Sequence, residues 1–108
     1  MSTFDKRQEG FEKKFAHDEE LRFKAQARRN KLLGLWAAEK MGLTGDDAEA
    51  YSKEVVASDF EEAGDEDVYR KVSGDLEAKA AGVSEAEIRD QMRTLLGEAK
   101  AQLMDEVG

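Results

Sequence analysis

No proline occurs in the 108 residues. A proline inside a helix removes a backbone hydrogen bond and clashes with the preceding turn, at ~3 kcal/mol or more. This chain carries no such break from end to end. Punctuation falls instead to nine glycines and to Ser, Thr and Asp at positions suited to capping. Between them, acid-before-base pairs recur at i, i+4 spacing: Glu20–Lys24, Glu49–Lys53, Glu66–Arg70, Asp67–Lys71, Asp75–Lys79 and Glu85–Arg89. Each such pair stabilises solvated helix by ~0.2–0.5 kcal/mol. Charged residues make up 39% and hydrophobic residues 40%, enough for helix surface and one small core. No alternating strand pattern competes. The expected fold is all-α: a compact four-helix bundle over residues 20–108, preceded by a flexible, basic, nascent-helical arm over residues 1–19.

The helices can be placed. Asp18-Glu19-Glu20 put negative charge at the start of a helix over 18–41, which suits its macrodipole. Leu21, Ala25, Leu32, Leu35 and Trp36 form its apolar stripe, and Gly42 signals its end. Trp36, with Leu32, Leu33 and Leu35, is expected in the core. Thr44 or Asp46 caps a second helix over 46–63, whose apolar positions Ala48, Tyr51, Val55, Val56, Phe60 and Ala63 span a wide arc, as for a helix wedged between two others. Asp65 caps a third, with Val68, Val72 and Leu76 at i, i+4 spacing, ending at Gly82. Ser84-Glu85-Ala86-Glu87 is a capping box for the fourth. Its stripe is Ile88, Met92, Leu95, Leu96, Ala99, Leu103 and Val107. Short turns make successive helices roughly antiparallel.

Composition excludes several chemistries. With no cysteine there is no thiolate nucleophile, disulfide or zinc–thiolate site. With His17 as the one histidine, no multi-histidine metal site forms within a chain. No glycine-rich phosphate loop occurs. No apolar run approaches the ~20 residues of a membrane span, and the N-terminus lacks a secretory signal's apolar segment. A soluble cytoplasmic protein without a cofactor, not an enzyme, is expected. Net charge is −8, unevenly spread: residues 1–31 carry nine Lys/Arg against six Asp/Glu, and the remainder eight against nineteen. An acidic body repels nucleic acid and anionic membranes, so neither is an expected partner. Arg28-Arg29-Asn30-Lys31 is a local basic cluster better suited to an acidic protein surface. The acidic turn Glu61, Glu62, Asp65, Glu66 and Asp67 has two uses: hard-cation ligation, or negative charge at a helix start.

The arm carries the sharpest pattern. Phe4, Phe11 and Phe15 are spaced to share one helical face, interleaved with Lys6, Arg7, Lys13 and Lys14. Gly10 weakens that helix by about 1 kcal/mol relative to Ala, and so short a helix is marginal alone. Such a stripe either docks on its own bundle or orders on meeting a partner groove. His17 is expected to be exposed at a helix start, where a pH-sensing role is the alternative.

Residues Phe15-Ala16-His17-Asp18-Glu19-Glu20-Leu21-Arg22-Phe23-Lys24 and Ala27-Arg28-Arg29-Asn30-Lys31-Leu32-Leu33-Gly34-Leu35-Trp36-Ala37-Ala38 resemble the zeta-subunit inhibitors of alphaproteobacterial F-type ATP synthases. Asp59-Phe60-Glu61-Glu62-Ala63-Gly64-Asp65-Glu66-Asp67-Val68-Tyr69-Arg70-Lys71-Val72 resembles the same family, and the likeness spans nearly the whole chain. It implies a small four-helix inhibitor of ATP hydrolysis acting on the catalytic head from the cytoplasmic side. Its N-terminal arm would insert at a catalytic alpha/beta interface beside the gamma rotor. Phe4, Phe11 and Phe15 would fill apolar pockets there. Lys6, Arg7, Lys13, Lys14, His17 and Arg22 complete the candidate partner-binding set. The alternative is a small regulator that binds a nucleotide, weakly, or a metal.

Overall fold

The computed structural model describes residues 19–59 and 65–107. Over these residues the chain is all-α, in four helices: α1 Glu19–Lys40, α2 Gly45–Ser58, α3 Glu66–Ala78 and α4 Glu85–Val107. Helix α1 packs against all three others, most extensively against α2 and α4. Helix α2 packs against both α1 and α3, as its wide apolar arc suggests.

The main core joins Leu33, Ala37 and Ala38 of α1 to Tyr51 and Val55 of α2, Val68, Val72 and Leu76 of α3, and Ile88, Met92 and Leu95 of α4. A smaller cluster, Leu21, Ala25 and Leu103 with Leu96 and Met104, fastens the first turns of α1 to the last turns of α4. Each fully buried Val, Leu or Ile stabilises the fold by ~1.5–3 kcal/mol. The α3 and α4 stripes fall as expected wherever their side chains are described. The α1 stripe holds at Leu21 and Ala25, which are buried, and Leu32 and Trp36 pack against the core, but its centre is rotated. Leu32, Leu35 and Trp36 are only half-buried, while Leu33, Ala37 and Ala38 are fully enclosed. The core-facing side of α1 also carries Arg29, Asn30 and Gly34, residues that an apolar pattern passes over.

Helix α1 ends as expected. Gly42, at φ +78°, lets the Leu43 amide reach back to the Ala38 carbonyl at 2.8 Å and its own amide to Glu39 at 3.1 Å, a Schellman closure. Helix α2 stops at Ser58 instead of 63. The Ser58 hydroxyl donates to the Val55 carbonyl at 2.6 Å, a local bond that competes with helix continuation. The Asp59 amide then closes the turn onto Val56 at 3.3 Å. Phe60 and Ala63, expected in this helix, lie outside the described residues.

Helix α3 ends before Gly82 because Ala80 takes the left-handed position, at φ +52°. The Ala81 amide bonds the Leu76 carbonyl at 3.0 Å and the Ala80 amide bonds Glu77 at 2.9 Å. The same closure is thus made by a residue with a Cβ. The expected caps are partly realised. Thr44 and Asp65 occupy N-cap positions without a side-chain capping bond. Ser84 does cap α4, its hydroxyl accepting the Glu87 amide at 3.2 Å.

Candidate partner-binding site

Of the residues the sequence assigns to partner binding, Phe4, Lys6, Arg7, Phe11, Lys13, Lys14, Phe15 and His17 lie outside the described residues. Arg22 lies within them, exposed on the first turns of α1. The structure describes the platform on which that segment is rooted. Leu21 and Ala25 are buried against Leu103. One helical turn on, Arg28 forms a two-pronged pair with Glu106, with Nη2 to Oε2 at 3.0 Å. That bond holds the Glu106 carboxyl below the usual range. The chain thus enters α1 at a point fixed on both an apolar and an ionic contact with α4.

The basic cluster at 28–31 does not survive folding as a cluster. Arg28 is spent on Glu106, and Arg29 is 1% exposed. Arg29 Nη2 donates to Asp65 Oδ1 at 2.8 Å and its Nε to Asn30 Oδ1 at 2.6 Å. Only Lys31 of the three cations is exposed. The acidic turn is likewise consumed where it is described. Asp65 meets Arg29, Glu66 meets Arg89 at 2.8 Å, and Asp67 meets Arg70 at 2.7 Å. Glu61 and Glu62 lie outside the described residues. Among the described residues no group of three or more potential ligands could hold a metal ion. The helix-start reading holds, with Asp65 at the N-cap and Glu66 and Asp67 in the first turn of α3, and Asp65 is in addition aimed at a buried arginine.

That arginine organises the α2–α3 junction. Asp59, which follows α2, is raised above the ordinary carboxyl range because burial outweighs the Asn30 amide and the Arg29 guanidinium, with Asp65 and Asp67 adding to the rise. Asn30 Nδ2 and Asp67 Oδ2 are buried without a hydrogen-bond partner of good geometry. Unpaired buried polar groups cost ~1–3 kcal/mol each, so the junction is a costly part of the fold.

The remaining charged groups tie helices together. Tyr51 donates to Asp75 Oδ2 at 2.9 Å, and burial with that bond raises its hydroxyl far above the ordinary phenol range. Lys71 pairs with Asp75 at 3.0 Å and Glu54 at 3.5 Å. Burial disfavours its ammonium, but these partners outweigh it and raise it. Arg89 stacks on Tyr69 at 3.7 Å and holds Glu66 below the usual carboxyl range.

Sequence reasoning missed Arg29, Asn30, Gly34 and Ser52. A signal existed. Leu21, Ala25, Arg29, Leu33 and Ala37 form an unbroken i, i+4 ladder with a single charged rung. Gly34, inside a long helix, marks a close packing contact. A Cβ there would sit 2.6 Å from the Ser52 Cα.

The comparisons with known proteins agree with this architecture. A solution NMR structure is 60% identical to the chain, covering 80% of it and 98% of its own length, with a TM-score of 0.72. No curated protein matches. The family model described as ATPase inhibitor subunit zeta matches residues 1–102, so the match takes in the basic N-terminal segment as well as the helices. The chain belongs to the ATPase inhibitor subunit zeta family.

Proposed function

We propose that this chain inhibits ATP hydrolysis by the catalytic head of an F-type ATP synthase, and that residues 1–19 are the inhibitory part. The observation that carries this reading is the extent of the family match, which begins at residue 1 and so includes Phe4, Phe11, Phe15 and their flanking cations. In the proposed complex the segment lies as an amphipathic helix at a catalytic alpha/beta interface next to the gamma rotor. The three Phe side chains supply ~1.5–3 kcal/mol each on burial, against an ordering cost of about 2–5 kcal/mol. Lys6, Arg7, Lys13, Lys14 and Arg22 meet acidic rims. The bundle stays outside as a stop. A wedge that keeps the interface from cycling halts turnover without touching substrate.

The anchoring of Leu21, Ala25 and Arg28 to α4 supports this division of labour. It gives the inserted segment a fixed root, so that load on the wedge is passed to the whole bundle. A nucleotide- or metal-binding regulator is disfavoured by the engagement of Asp65, Glu66 and Asp67 with arginines. Phe11→Ala and Phe15→Ala test the contact. Each is expected to weaken inhibition of hydrolysis by about 10-fold or more, from the loss of ~1.5–3 kcal/mol, with the melting temperature unchanged. Unaltered inhibition together with a marked fall in melting temperature would show the Phe stripe serving the bundle instead.

A further inference from the structure

Most cations of the described bundle are held by carboxylates: Lys24, Arg28, Arg70, Lys71, Arg89 and Arg93 on the surface, and Arg29 inside. Lys31 of α1 and Lys53 of α2 stand apart from these pairs. Both are exposed, and both line one open groove of about 390 Å³ between α1 and α2, with Glu49, Ser52, Val56 and Ala57. Ser52 is buried and Val56 half-buried, so they lie deepest. The Ser52 backbone is also where α2 comes against Gly34 of α1, which fixes the two walls relative to each other.

We infer that this groove is a second docking site, for an acidic segment on the same enzyme head that carries an apolar side chain beside its carboxylates. The inference rests on the function proposed above. The choice of occupant follows from charge. From residue 32 onward the chain has nineteen acidic against eight basic residues, so an acidic partner is repelled over most of the bundle. On the groove's rim Lys31 and Lys53 outnumber the one carboxylate, Glu49, a local reversal of that balance, and Val56 and Ala57 offer an apolar seat. Lysine stems extend that apolar surface while their ammonium groups stay in water.

The position suits joint engagement. Lys31 lies twelve residues along α1 from Glu19, about 18 Å at 1.5 Å per residue. A head segment near the mouth of the arm's own site can reach the groove while the arm is inserted. Two linked contacts then raise overall affinity beyond either alone. The groove contributes retention and the arm contributes the block.

The test uses the full-length chain and the purified catalytic head, with binding and ATP hydrolysis measured in parallel for wild type and K31E/K53E. The expected result is unchanged maximal inhibition, with the melting temperature lowered only slightly as Glu49 loses its i, i+4 partner in K53E. Dissociation and half-inhibitory concentrations should rise about tenfold, as the loss of two rim charges allows. The wild type should also lose affinity with salt more steeply than the variant. K31Q/K53Q should fall between the two. Equal affinity of wild type and K31E/K53E for the head overturns the inference and leaves the proposed function standing. Wild type that binds with this charge dependence but does not inhibit overturns the function alone, and wild type that neither binds nor inhibits overturns both. A concentration-dependent dimer abolished by K31E/K53E assigns the groove to a second copy and also overturns it.

Discussion

At Gly34 helix α1 accepts a residue that weakens it by about 1 kcal/mol relative to alanine, because the Ser52 backbone occupies the space a side chain would need. Gly34→Ala is expected to destabilise the bundle by ~1–3 kcal/mol through overpacking. Thermal melting checks this, and an unchanged or raised midpoint would contradict it. Asp59 makes a different kind of residue-scale statement. Its folded carboxyl is raised by burial, so the native state binds that proton more readily than the unfolded chain does. The charged form is therefore a burden at neutral pH, and the burden is relieved as pH falls through the raised value. Asp59→Asn should raise the melting midpoint at neutral pH, with the advantage shrinking on acidification. A midpoint lowered at neutral pH, with the loss shrinking on acidification, would show that the attraction of Arg29 for its carboxylate outweighs its burial.

Among the elements, the apolar stripes of α3 and α4 could be read directly, because every third or fourth position is a plain hydrophobe. The Gly42 closure of α1 was equally readable. The α1 stripe was readable at Leu21 and Ala25 but not farther on, because its buried face includes Arg29 and Asn30, and a search for hydrophobes rotates away from a charged rung. The end of α2 falls at Asp59, whose amide closes the last turn, and that of α3 depends on an alanine adopting a glycine's conformation. Neither is specified by residue type. The acidic turn illustrates the same limit: its place at the start of α3 was readable, but its pairing with Arg29, Arg89 and Arg70 was not.

The energetics of the α2–α3 junction follow from which partner is removed. Asp65→Ala leaves the Arg29 guanidinium buried with Asp59 as its remaining carboxylate. It should cost ~1–3 kcal/mol, less than a fully buried pair because Asp65 is half exposed. Arg29→Met keeps the volume and frees Asp65 to water, and should cost less. Denaturant melts of the two variants decide the point. A larger loss for Arg29→Met would mean that Arg29 stabilises through packing and the Asn30 contact rather than through charge.

For the whole molecule, the all-α architecture followed from the lack of proline and the dense i, i+4 ion pairs, which suit nothing but solvated helix. Several of those pairs were redirected on folding. Glu66 reaches Arg89 on α4, and Asp75 accepts from Tyr51 and Lys71, so charges that look local in sequence join helices in space. No helix among the described residues is long and apolar enough to cross a membrane. Function was readable only where pattern met family likeness, in the Phe and Lys/Arg spacing of the first nineteen residues and in the contiguous blocks that follow. The division into an inhibitory arm and a stopping bundle is most directly tested by titrating the catalytic head, during ATP hydrolysis, with the full chain and with a chain lacking residues 1–19. The full chain should inhibit. The truncated chain should melt cooperatively with helical content intact and leave hydrolysis at its uninhibited rate. Full inhibition by the truncated chain would place the inhibitory surface on the bundle and contradict the account.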